Sequence, residues 1–176
     1  MAAIKSVLFA VFSAILVAIF WGSLRSWRLH GFFRFFAFEA LLALILLNAE
    51  RWFRYPFSFI QIASWILLTS SFLLALHGFR LLRIMGKPQG QIENTTLLVT
   101  AGAYQYIRHP LYCSLILLGL GIYLKNPSAI VTLLLVVLGV CLYATGRVEE
   151  SENLHKFGDE YARYLERTKM FIPFLF

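Results

Sequence analysis

Charge is what this chain has least of. Only 14% of its 176 residues are charged, against 60% hydrophobic and 16% aromatic. Soluble domains carry about 25% charged residues and about 45–50% apolar ones. So much apolar surface has no water-soluble solution at this length, which excludes an ordinary soluble domain and leaves a bilayer as the natural solvent. Cysteine is nearly absent: Cys113 and Cys141 both fall inside apolar runs, so they read as small hydrophobes and say nothing of a disulfide framework. The four histidines (30, 77, 109, 155) and two cysteines are too dispersed for a metal site of usual spacing. The sequence also lacks a phosphate-binding Gly loop, a G-x-S-x-G elbow and a dinucleotide fingerprint. Conventional soluble cofactor folds are therefore excluded.

What is there is a series of long apolar runs. A span needs about 20 predominantly apolar residues, and residues 4–24, 32–49 and 57–82 qualify, the last long enough to tilt or project. Residues 110–124 are short for a span, and 127–145 follow at once. Asn126-Pro127 is a turn signal with proline at a helix start, so 110–145 reads as a tight helical hairpin. The expectation is an all-α, polytopic membrane bundle of about five transmembrane helices, forming a single domain over 1–176. Three N-terminal helices would occupy 1–84 and the chemistry-bearing region 85–176. The first run lacks a small-x-small cleavage pattern, and Arg25 and Arg28 follow it, so it reads as a retained helix rather than a signal peptide.

The net charge of +7 does not indicate nucleic acid, because the basic residues lie scattered at helix ends rather than on one face. With five spans, one side receives four of them (Lys5, Arg51, Arg54, Lys125) and the other the remaining twelve. The positive-inside rule then places the N-terminus outside and the C-terminus in the cytoplasm. Two segments are not accounted for by spanning. Residues 86–109 form a long connection whose aromatic and β-branched content argues against disorder. Residues 147–176 alternate acids (Glu149, Glu150, Glu152, Asp159, Glu160, Glu166) with Leu154, Phe157, Tyr161, Tyr164 and Leu165. That spacing predicts an amphipathic cytoplasmic helix ended by Pro173.

Two clusters could carry chemistry. In Tyr104-Gln105-Tyr106-Ile107-Arg108-His109-Pro110-Leu111-Tyr112, Pro110 suits the first helical turn, and Arg108 and His109 stand just before free helix N–H groups, a natural anion site. An interfacial belt of Tyr, Arg and His accounts for the same residues equally well. In Arg147-Val148-Glu149-Glu150, the carboxylates fit either a helix-dipole cap or a cationic ligand, and the arginines fit a carboxylate. The hairpin brings both clusters to one membrane face, where a site bearing both signs suits a zwitterion. Within the spans, Glu39 and His77 read either as functional groups or as interhelical contacts.

From residue 89 to 173 the order of motifs resembles the membrane methyltransferases that include isoprenylcysteine carboxyl methyltransferase and the phospholipid N-methyltransferases. The resemblance rests on Leu98-Val99-Thr100-Ala101-Gly102-Ala103-Tyr104, Arg108-His109-Pro110-Leu111-Tyr112, Glu149-Glu150, Phe157-Gly158-Asp159-Glu160-Tyr161, Tyr164 and Ile172-Pro173. Each piece is weak alone; their order and spacing are specific. The resemblance implies S-adenosylmethionine bound in a cytoplasm-facing pocket without a Rossmann sheet. It implies cofactor contacts from Gln89, from a strand-like Thr96, Leu97, Leu98 and Val99, from Tyr104, and from Arg108, His109, Pro110, Leu111 and Tyr112. It also implies Glu149 on the cofactor ammonium, with Glu150 beside it, and Arg147 as the cation for an acceptor carboxylate. Ser114 and Met170 stand where the family usually has Gly and Arg, which puts the acceptor in doubt.

An acceptor carboxylate needs no base, because the sulfonium methyl is already activated and alignment is the main task. An amine or thiol must lose a proton, and His109 is then the first candidate base. The function the resemblance implies is methyl transfer to a lipophilic acceptor, foremost a carboxylate, at the cytoplasmic face. Two rivals are an NADPH-dependent reductase similar to the sterol reductases, which carry a similar Arg-x-Pro-x-Tyr segment, and a non-enzymatic membrane scaffold.

Overall fold

The computed structural model describes residues 2–54, 57–89 and 95–175. Six α-helices follow one another among them: α1 (Ala2–Phe20), α2 (His30–Asn48), α3 (Phe59–Met85), α4 (Pro110–Tyr123), α5 (Ala129–Phe157) and α6 (Asp159–Arg167). Four stretches are long and apolar enough to cross a bilayer: Ala3–Phe20, His30–Arg51, Phe59–Met85 and Ala129–Phe157. The chain is an integral membrane protein. At 14 residues, α4 is about 21 Å long at 1.5 Å per residue, short of the roughly 30 Å hydrocarbon core.

Packing explains how so short a helix sits in the bundle. It runs antiparallel to α3, and the two are joined by serine hydroxyls donating to backbone carbonyls: Ser71 to Ser114 O at 2.7 Å and Ser64 to Gly121 O at 2.6 Å. Such contacts need backbones close together. A Cβ added at Gly121 would meet Leu68 side-chain atoms at 2.8 Å and the Ser64 carbonyl at 3.2 Å. Ala37, Leu41 and Leu44 recur at helical spacing on α2 and pack with Leu138 and Leu142 of α5, all buried. Outward side chains such as Ile4, Phe12, Ile66 and Val136 stay exposed, as lipid-facing residues must.

Of the two spanning-region polar groups, Glu39 accepts from Ser13 of α1 at 2.6 Å, an interhelical contact. His77 Nε2 accepts the Ala103 N–H at 3.3 Å, tying the 95–109 connection to α3. Ser58 and Ser128 cap α3 and α5 by accepting from Gln61 and Val131.

The predicted cytoplasmic helix differs in form. α5 does not stop after its apolar part: its 29 residues, about 43 Å, continue unbroken to Phe157, so the acidic residues project beyond the membrane on a span's own extension. Gly158, at φ 55° and ψ −130°, then breaks the chain direction and α6 begins. The helix ends at Arg167 rather than at Pro173 because Thr168 turns extended and the next residues pair with the segment before α4. Lys169 N donates to Tyr106 O, Arg108 N to Lys169 O and His109 N to Met170 O, at 3.1, 2.8 and 3.2 Å. The C-terminal tail thereby clamps the residues that lead into α4.

Candidate active site

The clamp decides where His109 points. Its backbone N–H is spent on Met170 O, and that of Arg108 on Lys169 O, so neither is free to bind an external anion. The anions nearest the side chains of this helix start are internal. Glu149 and Glu150, mid-helix in α5 rather than at a helix start, face it directly, which removes the capping account of that pair. Gly146 makes the approach possible: a Cβ there would meet Met170 Cε at 2.5 Å and the His109 ring at 3.3 Å.

The resulting network is buried and charged. Arg108 Nε donates to Glu150 Oε1 at 2.6 Å, and its Nη1 to the Thr168 carbonyl. The Tyr112 hydroxyl donates to Glu149 Oε1. The His109 ring stacks on Tyr112 at 5.4 Å between centroids. Its Nδ1 lies 3.5 Å from Glu149 Oε2 and its Nε2 3.4 Å from Glu150 Oε1, the latter off the line of a good hydrogen bond. Burial works against the imidazolium, yet the two carboxylates outweigh it and raise the His109 pKa above the ordinary value. His109 thus sits between two carboxylates that favour its protonated form.

An open cleft with a cavity volume of about 100 Å³ adjoins this network. Leu98, Val99, Tyr104, Arg108, His109, Leu111, Tyr112 and Glu149 line it, eight of the residues for which the resemblance implies a site role. The others lie elsewhere. Pro110 and Glu150 are buried behind the wall. Thr96 is exposed and its hydroxyl bonds to Lys87 O at 3.0 Å, Leu97 is exposed, and neither belongs to a strand. Gln89 is exposed at the edge of the described residues. Arg147 does not line the cleft; its side chain is exposed, 3.7 Å from Glu150.

The remaining wall comes from Leu82, Thr95, Asn153, Phe157, Tyr161 and Tyr164. Asn153 and Phe157 follow Glu149 at four-residue steps, so once α5 is known to be continuous they share its face. Tyr164 donates to Tyr104 O at 2.6 Å, closing the cleft across the chain. Burial pushes the Tyr161 phenol up to about 12 and that of Tyr164 higher still, so both stay neutral. No group of three or more His, Cys, Asp or Glu among the described residues could hold a metal ion.

A sequence model described as phospholipid methyltransferase matches residues 59–160, the stretch that holds α3, α4, the glutamates and most of the cleft. The chain belongs to the phospholipid methyltransferase family. Over 91 residues it is 34% identical to a human (Homo sapiens) relative, protein-S-isoprenylcysteine O-methyltransferase, which covers 49% of this chain and 31% of the relative. The chain thus spans about a third of the length of the curated relative it matches. In this family member, Ser114 is accommodated because its hydroxyl turns back to the Leu111 carbonyl at 2.6 Å. Met170 is buried under His109 and Gly146 rather than offered to a ligand.

Proposed function

We propose that this chain transfers a methyl group from S-adenosylmethionine to a lipophilic acceptor, a carboxylate by preference, at the cytoplasmic membrane face. The observation that carries the reading is the Glu149 carboxylate, fixed by Tyr112 and His109 at the wall of a cleft in a protein of this family. The donor set fits the cofactor's chemistry. Glu149 suits its ammonium, Arg108 suits its carboxylate, and Tyr104, Tyr112, Phe157 and Tyr161 offer aromatic faces to its sulfonium and base. When bound, S-adenosylmethionine supplies a methyl group already activated on sulfur.

The protein's share is then orientation and exclusion of water. Glu149 and Glu150 favour the protonated form of His109, which leaves it less suited to take a proton from an acceptor. That favours an acceptor that arrives ionised, as a carboxylate does. An apolar groove between α4 and α5, lined by Cys113, Ile116, Leu117, Val140, Tyr143 and Phe171, supports a lipid-borne acceptor. The Phe171 ring lies 6.1 Å from that of His109, so groove and cleft share a wall. Arg147, exposed one turn after Tyr143 of the groove, is the cation offered to an acceptor carboxylate.

Calorimetry of S-adenosylmethionine against detergent-purified protein tests the first half, with Glu149→Ala and His109→Ala alongside. Saturable binding lost in a folded Glu149→Ala variant supports the site; a folded wild type that binds NADPH and not S-adenosylmethionine overturns it. Transfer of labelled methyl to a prenylcysteine, but not to a phospholipid amine, in nanodiscs tests the second half.

A further inference from the structure

The site draws on a part of the chain that the family match does not reach. Arg34 lies on α2, outside residues 59–160, in the run Phe32-Phe33-Arg34-Phe35-Phe36. A guanidinium among such residues needs an anion once buried. Its side chain is 10% exposed, and Nη1 lies 3.9 Å from Glu149 Oε1, the oxygen that also accepts from Tyr112. The guanidinium is backed by the Phe20 ring of α1 at 5.5 Å. One turn earlier on α2, His30 Nδ1 meets Glu152 Oε2 at 2.8 Å. Residues 30 and 34 share one face of α2, and 149 and 152 share one face of α5, so the two contacts form a single polar seam.

We propose that Arg34 is a positioning residue of the site: it holds the Glu149 carboxylate in place from behind and balances its charge. Three elements then fix that carboxylate, Arg34 from α2, Tyr112 from α4 and His109 from the clamped segment. The N-terminal helices thereby become part of the binding machinery rather than membrane anchors alone. This inference deepens the proposed function and its cofactor arm rests on that reading.

The electrostatic consequence can be measured without any cofactor. The groups facing His109 are Glu149 and Glu150 of α5, Arg108 beside it and Tyr112 of α4; those facing Glu149 add Arg34 and, farther away, His30. Arg34 competes with His109 for Glu149, so neutralising Arg34 strengthens the carboxylate's hold on the imidazolium. Arg34→Met should therefore move the NMR titration of His109 to higher pH, while Arg34→Lys leaves it near wild type. In calorimetry Arg34→Met should weaken S-adenosylmethionine binding about tenfold and Arg34→Lys about threefold or less. A folded Arg34→Met with wild-type titration and affinity overturns the proposal, as does an Arg34→Lys as impaired as Arg34→Met.

If Arg34→Met does not fold, the double variant Arg34→Met with Glu149→Gln removes both charges of the pair. Recovery of the fold supports the pairing, whereas continued unfolding assigns Arg34 to packing and overturns the proposal. A wild type that binds no S-adenosylmethionine removes the proposed function alone, because the His109 titration still decides the role of Arg34.

Discussion

Glu149 and His109 are tied to each other and to their neighbours by contacts that can be removed one at a time. Tyr112→Phe deletes the hydroxyl that Glu149 accepts while keeping the ring stacked on His109. A hydrogen bond to a charged group contributes about 1.5–3 kcal/mol, so calorimetry should show roughly a tenfold or greater loss of S-adenosylmethionine affinity with the fold intact. His109 also predicts a pH dependence. Its folded-state pKa is raised, so its stabilising contribution is complete below its unfolded value, about 6.5. It is lost as pH rises through the higher folded value. Melting of detergent-solubilised protein should fall across that window, and His109→Gln should flatten the fall. The Arg-His-Pro-Leu-Tyr and Glu-Glu motifs were legible as residue types. That Glu149 faces the cleft and Glu150 turns behind it was not, because two adjacent helical residues point about 100° apart and only packing fixes which one faces inward.

At the scale of elements, the hinge between α5 and α6 is the most exposed to test. Gly158 adopts φ 55° and ψ −130°, a conformation that a side chain disfavours, with open space around it. Gly158→Ala should destabilise the protein by about 1–2 kcal/mol through the backbone alone, read as a lower melting temperature. It should also weaken cofactor binding, since α6 carries Tyr161 and Tyr164 into the cleft. The connection before α4 offers a second test. Gly102 has φ 58°, and a Cβ there would meet His77 Nε2 at 2.6 Å. Gly102→Ala should loosen the 95–105 segment, measured as faster hydrogen exchange at Ala103 and Tyr104. The sequence marked 86–109 as a structured connection, but what holds its described part at Ala103 and Tyr104 is a histidine on α3 and a tyrosine of α6 60 positions away. Local pattern carries no information about such partners.

The whole molecule is a bundle in which charge is sorted by end. Arg34, Arg108, Arg147 and the acidic extension of α5 gather at one end. At the other, Lys125 lies over the Trp65 ring at 3.9 Å, with Trp52 beside it. With four basic residues on one side against twelve on the other, the positive-inside rule predicts that the cleft faces the cytoplasm. A reporter fused after Phe176 should be active in the cytoplasm, and a cysteine placed at Asn126 should react with an impermeant reagent from the opposite side. The reverse pattern would turn the proposed site away from any cytoplasmic cofactor.

Hydrophobic runs, turn signals and charge asymmetry determined a helical membrane protein by themselves, since lipid demands that each span satisfy its own backbone and those demands are local. The ordered motifs in the second half likewise carried the family. The tertiary structure alone decided the rest: that α5 continues past the membrane, that the tail clamps His109, and that Arg34 of α2 meets Glu149. Each of these joins residues far apart in the chain. Such contacts depend on how helices rotate and pack against one another, which periodicity within a single helix does not record.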